Sequence, residues 1–175
     1  HLHYDHVGNF HKFARARFHL QTREMGFVTG PYMRYPKFGH SFEVEDVVGM
    51  VKLNFKGRVE QHNGEVELAP GITLHHVGGH TPGLQIVRVM TKRGWVVLAS
   101  DATHYYEHMQ KNRFFTTAFN LGDMVDGYRT CERLAASPDH IVPGHDPLVM
   151  KLYPAVSPEL EGMIVRLDVA PVAEG

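Results

Sequence analysis

The first six residues, His1-Leu2-His3-Tyr4-Asp5-His6, place three imidazoles and one carboxylate next to each other. Neutral imidazoles and carboxylates are the side chains that bind divalent transition metals in proteins. In an extended segment His1 and His3 lie on the same side of the backbone, so both can bind one ion. A turn at Asp5 and His6 directs their adjacent side chains toward a second ion. We therefore expect a fold in which one short segment serves two metals.

Three further ligand-type residues, His80, Asp101 and His145, follow predicted strands at 72–77, 95–99 and 140–142. The end of a strand is a rigid place for a ligand. These residues give each ion about four protein ligands, with Asp101 able to bridge a pair of ions that dinuclear hydrolases hold about 3.5 to 4 Å apart. The predicted metal ligands are His1, His3, Asp5, His6, His80, Asp101 and His145. Eight other histidines are interpreted as bystanders: His11, His19, His40, His62, His75, His76, His108 and His140.

Strand and helix signals alternate along the rest of the chain, which predicts an α/β fold. Helices are expected over 10–16, 44–55 and 124–135, and a partly irregular flap over 22–40. The helix over 44–55 is expected to pack through Val44, Val47, Val48, Val51 and Phe55. Strands are predicted over 58–61 and 65–68 with a turn at His62-Asn63-Gly64 between them, and a hairpin is predicted to join 84–90 to 95–99.

The length of 175 residues and a hydrophobic content of 43% indicate one folded domain over 1–175. The net charge is −1, and basic and acidic residues are mixed along the chain. This pattern indicates neither a basic nucleic-acid-binding surface nor an acidic tail, so we expect a small-molecule substrate. The chain contains no apolar run of the roughly 18 residues that a membrane span needs. With one cysteine, Cys131, and no visible signal peptide, we expect a soluble cytoplasmic protein, with a homodimer as an option.

Four motifs, His1-x-His3-x-Asp5-His6, Gly79-His80-Thr81-Pro82-Gly83, Ser100-Asp101 and Pro143-Gly144-His145-Asp146, together resemble the metallo-β-lactamase superfamily. Within it, they are most similar to the N-acyl homoserine lactonase family. The resemblance implies an αβ/βα sandwich with metals at one edge of the facing sheets, N-terminally truncated because the family's first strands precede these motifs. It also implies that His1, His3 and His80 hold one zinc, that Asp5, His6 and His145 hold the other, and that Asp101 bridges them.

The implied reaction is the opening of a lactone ring by a hydroxide that bridges the two ions, most closely that of N-acyl homoserine lactones in quorum quenching. Asp5 or Asp101 would move the proton to the departing alkoxide. Zn²⁺ is the expected metal, with Fe, Co or Mn as alternatives. The family often has a tyrosine three residues after the bridging aspartate, but this chain has His104 there, followed by Tyr105. Both are candidate catalytic residues.

Several alternatives stay open at this point. A glyoxalase II-like thioesterase or another metal-dependent ester hydrolase uses the same metal centre, and a non-enzymatic alternative is an inactive metal-binding fragment. A thioesterase for a charged thiol carrier needs a cationic patch, for which Lys151 and Arg166 are isolated candidates. The aromatic residues of segment 22–40 either line an acyl-chain pocket or pack beneath a long loop.

Overall fold

The computed structural model describes residues 1–172 and contains two β-sheets, each covered by helices. The strands are β1 (Phe18–Gln21), β2 (Val59–His62), β3 (Val66–Ala69), β4 (Ile72–His76), β5 (Gln85–Thr91), β6 (Gly94–Ser100) and β7 (Ile141–Pro143). The helices are α1 (Tyr4–Val7), α2 (Thr22–Val28), α3 (Pro36–Gly39), α4 (Val44–Phe55), α5 (Tyr106–Gln110), α6 (Leu121–Leu134) and α7 (Val149–Leu152). The α/β fold predicted from the sequence is confirmed.

The smaller sheet consists of β1 and β2, which run parallel. A parallel pair needs a crossover connection, and here α2, α3 and α4 lie between the two strands in the chain. The core on this side includes Leu20 of β1, Phe27 of α2 and Met50 of α4. Leu2, between the first two histidines, is 1% exposed in the same core, so packing fixes the start of the chain.

The larger sheet has the strand order β3-β4-β5-β6-β7, antiparallel up to β6 and parallel between β6 and β7. Helix α6 packs against it, and Cys131 of α6 is fully buried with Val97 and Ala99 of β6. Because parallel strands end at the same edge of a sheet, the segments after β6 and β7 lie next to each other. These segments carry Asp101 and His145.

The two sheets are joined by Gln21, at the end of β1. Its side-chain amide donates to Oε1 of Gln85 on β5 and to the carbonyl of Gly64, and its Oε1 accepts from the Gly64 N–H. At 2% exposure, this amide needs partners for both of its ends, and it has them.

The predicted hairpin forms, because β5 and β6 pair across a tight turn with Thr91 opposite Gly94. The strands predicted on either side of His62-Asn63-Gly64 also form, as β2 and β3. They do not pair with each other, because β2 pairs with β1 and β3 pairs with β4. The turn residues pass the chain from one sheet to the other, where Gly64 binds Gln21.

Two of the three predicted helices form as α-helices. The predicted helices over 44–55 and 124–135 correspond to α4 and α6. The expected buried face of α4 was partly wrong, since Val44 and Phe55 are 71% and 87% exposed while Met50 and Leu53 are buried. The helix predicted over 10–16 is instead a 3-10 helix, Phe10–Lys12. The segment 22–40, predicted to be a partly irregular flap, contains α2.

Within residues 1–172, none of the helices combines the length and the apolar character that crossing a bilayer requires. The prediction of a single domain includes residues 173–175, which lie outside the described residues, and it stays a prediction.

Candidate metal centre

The carboxylate of Asp101 lies at the middle of the histidine cluster. Its Oδ1 is 3.1 Å from Nε2 of both His6 and His145. Its Oδ2 is 3.1 Å from Nε2 of His80 and 3.7 Å from Nε2 of His1. The two oxygens of one carboxylate therefore face two separate groups of imidazoles, which is the arrangement that a bridging ligand requires.

The first ligand set consists of His1, His3, His80 and Asp101, whose donor atoms lie within 4.8 Å of one another. The side chain of His1 has 0% exposure, and neither of its ring nitrogens has a hydrogen-bond partner in the structure. A buried polar atom without a partner is costly, and a metal ion at Nε2 would satisfy it. Burial, followed by the neighbouring His80, lowers the pKa of His3 to about 3, so its ring is in the neutral form that a metal binds.

The second ligand set consists of Asp5, His6 and His145, which also meet the 4.8 Å limit. Its side chains are 41%, 26% and 35% exposed, so solvent reaches this set. Oδ2 of Asp5 is 3.7 Å from Nε2 of both His6 and His145. Donor atoms at these separations, with Oδ1 of Asp101 nearby, fit the coordination sphere of a second divalent ion.

The ionisation state of Asp101 suits its central position. Burial opposes the charged form, but hydrogen bonds from His104 and His6 hold the pKa of this carboxyl well below its usual range. Asp101 is therefore ionised at neutral pH, and both of its oxygens are acceptors.

Local backbone features bring the ends of β6 and β7 together. Ser100 has a left-handed φ of +47°, which turns the chain sharply just before Asp101. Gly144 lies so close that a Cβ there would approach the Ser100 carbonyl oxygen to 2.7 Å, so only glycine fits. The N–H groups of Gly144 and His145 donate to the carbonyls of Thr103 and His104, which ties the two ligand loops together.

The orientation of His80 is set by a second contact. Its Nδ1 lies 2.6 Å from the carbonyl oxygen of Thr117, so Nδ1 carries the proton and donates it. Nε2 is then left with its lone pair directed at the first ligand set. Partners of this kind commonly fix the tautomer of a metal-binding histidine.

The two catalytic candidates after Asp101 lie in different places. The ring of His104 stacks on Phe115 with a centroid separation of 3.6 Å, and its Nε2 is 3.2 Å from Oδ2 of Asp101. His104 also forms a group within 4.8 Å with Asp101 and His145. The ring of Tyr105 is 6.4 Å from that of His104 and lines a separate cavity of about 740 Å³ with Tyr106 and Tyr153.

The aromatic residues of segment 22–40 pack on one another near the first ligand set. Phe27, Tyr32 and Phe38 make edge-to-face or tilted contacts with each other and with Phe119. The cavity between this cluster and His80 measures about 20 Å³, the size of a single water. This geometry favours packing beneath a loop over an acyl-chain pocket.

The structure brings all seven predicted ligands together, and the eight bystander histidines lie outside the groups that can hold a metal within residues 1–172. Sequence reasoning missed Glu24, which is fully buried on α2 and binds the backbone next to the ligands. It also missed the carbonyl of Thr117. A glutamate on a helix and a carbonyl in a loop leave no signal in one sequence.

The fold and this site define a class of protein. A family model described as the metallo-beta-lactamase superfamily matches residues 1–149, and the chain belongs to this superfamily. An N-acyl homoserine lactonase from Bacillus sp is 33% identical over 111 residues, which cover 63% of this chain and 39% of that protein.

Two solved structures show the same fold at lower identity. A B. thuringiensis AiiA mutant with N-decanoyl-L-homoserine bound at its active site has a TM-score of 0.70 and 22% identity, over 86% of this chain and 55% of that one. The dizinc quorum-quenching lactonase AidC, in complex with a product, has a TM-score of 0.55 and 14% identity, over 76% and 49%. The chain thus spans about half of the length of these structures, or less.

Proposed function

We propose that this chain belongs to a dinuclear metal-dependent hydrolase that opens N-acyl homoserine lactones. The observation that carries the proposal is the arrangement of two imidazole sets around the two oxygens of one carboxylate, Asp101. The similarity to a Bacillus lactonase, at 33% identity over 111 residues, supports this substrate class.

In this proposal His1, His3 and His80 hold one ion, Asp5, His6 and His145 hold the other, and Asp101 bridges them. Zn²⁺ is the expected ion, because four donors of the nitrogen and oxygen type suit it. When bound, two such ions supply a water-derived nucleophile at neutral pH and polarise an ester carbonyl.

The chain's own residues hold and move protons around the reacting ester. Asp101 stays ionised and keeps the imidazoles facing both of its oxygens. Asp5 is 41% exposed beside His6 and His145, so its carboxylate can pass a proton between solvent and the departing ring oxygen. Asp101 stays ionised and has no proton to give, so of the two candidates Asp5 is the general acid in this proposal.

His104 is the better placed of the two remaining catalytic candidates. Its Nε2 is directed at Asp101, so a carbonyl oxygen brought beside that carboxylate would lie within reach of the same N–H. A hydrogen bond to an oxygen that develops negative charge stabilises the transition state more than the ground state. Tyr105 stays the second candidate, because the loop that carries it also carries His104.

The thioesterase alternative gains no support from the two basic residues that it needs. Nε and Nη2 of Arg166 donate to the two carboxylate oxygens of Asp168, at 3.0 and 2.8 Å. This ion pair offsets the positive charge of the guanidinium. Lys151 is exposed on the short helix α7.

The experiment is a substrate panel on the metal-loaded full chain, scored by acid release. Acyl homoserine lactones with varied acyl chains are compared with simple aryl esters and with a glutathione thioester. The proposal expects lactone turnover to exceed that of the other two classes. Thioester turnover without lactone turnover would select the glyoxalase-like alternative, and a metal-loaded protein without any turnover would select the inactive one.

A further inference from the structure

We propose that Glu24 is a positioning residue for the first metal ligand set. Its buried carboxylate clamps together the two chain segments that carry His1, His3 and His80. This inference rests on the metal site of the proposed function, and it assigns the preorganisation of that site to a residue on α2.

The hydrogen bonds of Glu24 connect the two segments directly. Oε1 accepts from the backbone N–H of Leu2, at 3.0 Å, and Leu2 is the residue between His1 and His3. Oε2 accepts from the hydroxyl of Thr81, at 2.7 Å, and from the N–H of Gly83, at 3.1 Å. Since Thr81 follows His80 in the chain, one carboxylate holds the backbone next to ligands from both segments.

The burial of Glu24 shows that this contact has a specific role. The residue is 0% exposed, and its three partners are neutral donors. An ionised carboxylate only accepts hydrogen bonds, so three donors match it without an excess proton. Burying a charged group is expensive, and an apolar side chain of similar size would fill the space at a lower cost. What an apolar side chain would lose is the fixed position of two main-chain N–H groups beside the ligands.

Gly83 supports the same interpretation. A Cβ on Gly83 would come within 2.3 Å of the backbone nitrogen of Glu24 and 2.4 Å of its Cβ. The loop after His80 is thus pressed against the backbone of α2, and this close approach lets the Gly83 N–H reach Oε2. The last glycine of the Gly-His-Thr-Pro-Gly motif is therefore required by the close approach of this loop to α2 at Glu24.

Loss of Glu24 should affect the two ligand sets to different extents. Within the first set, Nε2 of His80 lies 3.0 Å from Nδ1 of His3, although the two residues are 77 positions apart in the chain. Loss of the clamp frees these segments to separate. His145 of the second set is held by a different contact, its N–H donating to the carbonyl of His104. Loss of Glu24 should therefore weaken metal binding at the first set much more than at the second.

The test is a Co²⁺ titration of the full chain, followed through visible absorption and metal content, for Glu24→Gln. The amide keeps the size of the side chain, but its NH2 end cannot accept a hydrogen bond, so the donors on one side, either Leu2 or Thr81 and Gly83, lose their acceptor. Affinity at the first set is expected to fall by about 10- to 100-fold, the usual effect of removing an outer partner of a metal ligand. Affinity at the second set is expected to stay within about 3-fold on the same basis.

Three further variants separate positioning from general destabilisation. Val28→Ala removes a 5%-exposed side chain from the same helix without touching the three hydrogen bonds, and it should lower stability while leaving Co²⁺ affinity unchanged. Thr81→Val removes only the hydroxyl donor and should weaken the first set by a smaller factor, whereas Thr81→Ser should restore it. The two Thr81 variants test the positioning role of Glu24 even where Glu24→Gln does not fold.

Wild-type Co²⁺ affinity at both sets in Glu24→Gln, or in Thr81→Val, would overturn the inference. An equal loss in Val28→Ala would overturn it as well, because the effect would then follow stability alone. A wild-type protein that binds two Co²⁺ ions but opens no lactone would contradict the proposed substrate and leave the role of Glu24 intact. A wild-type protein that binds no metal would contradict both.

Discussion

The two metal ligand sets differ most in their access to solvent. His1 and His80 of the first set have side chains at 0% and 1% exposure, whereas Asp5 and His145 of the second set are at 41% and 35%. The first set lies on the residues before α1 and on the segments after β4 and β6, and the second lies on α1 and on the segment after β7. Burial and rigid anchoring favour a tightly held ion, and an open site favours exchange with solvent and substrate. The comparison predicts two ions of unequal lability.

The sets share one residue, and removing it should have the largest effect. Asp101→Asn removes the negative charge, keeps a neutral amide oxygen toward one set and turns an NH2 group toward the other. Because one set loses a ligand and the other keeps only a neutral oxygen, we expect both ions to bind more weakly and lactone turnover to fall by more than about 100-fold, beyond the effect of losing an outer partner. Metal content and kcat/KM measure this.

The matched control for that substitution is Asp126→Asn, an exposed aspartate on α6 that forms an ion pair with Arg129 at 3.3 Å. It should retain wild-type metal content and turnover. Retention of both ions in Asp101→Asn would show that the carboxylate does not bridge, and the two sets would have to be treated as independent.

The rate of metal removal by a chelator should distinguish the two ligand sets. The ion bound at Asp5, His6 and His145 should leave first, at least about 10-fold faster than the ion at the buried set, because solvent access to a site is controlled by the shell around it. Stopped-flow absorption of the Co²⁺-loaded protein should then show two phases. His145→Ala should abolish the fast phase only, and a single phase in the wild type would contradict the difference in lability.

A smaller effect is expected at the boundary between the sets, where His104 lies. His104→Gln replaces an imidazole that contacts Oδ2 of Asp101 and stacks on Phe115. If its N–H serves the carbonyl oxygen, kcat should fall by about 100-fold, as for loss of one oxyanion donor, with metal content unchanged. Loss of metal from His104→Gln, or an unchanged kcat, would argue against this role.

The smallest effect is expected from Tyr105→Phe. The side chain is 43% exposed and lines a cavity away from the ligand sets. Removing its hydroxyl should change kcat/KM by no more than about 2-fold, as for most surface substitutions. A loss as large as that of His104→Gln would make Tyr105 the catalytic residue and His104 a packing residue.

The cluster of candidate ligands could be predicted from the sequence because their chemistry is concentrated. Four of the seven fall in one short segment, and Asp101 and His145 each follow a strand with a clear apolar pattern. Their division between two ions stays a prediction, and the structure groups His1, His3, His80 and Asp101 apart from Asp5, His6 and His145.

What the sequence could not show depends on contacts between distant segments. Strand β2 is short and ends at the turn His62-Asn63-Gly64, and no local signal shows that its partner is β1, about 40 residues earlier. Helix α2 was missed because Gly26 and the following prolines weaken its local signal, although tertiary packing stabilises it. Glu24 was missed for the same reason, because its partners Leu2 and Thr81 are far away in the chain.

Metal content of the purified, folded full chain after loading with Zn²⁺ and removal of free ion tests the central account most directly. The convergence of both ligand sets on Asp101 predicts close to two equivalents per chain, with X-ray absorption showing a metal–metal separation of about 3.5 to 4 Å. A folded, metal-replete protein that holds one equivalent or none would contradict it.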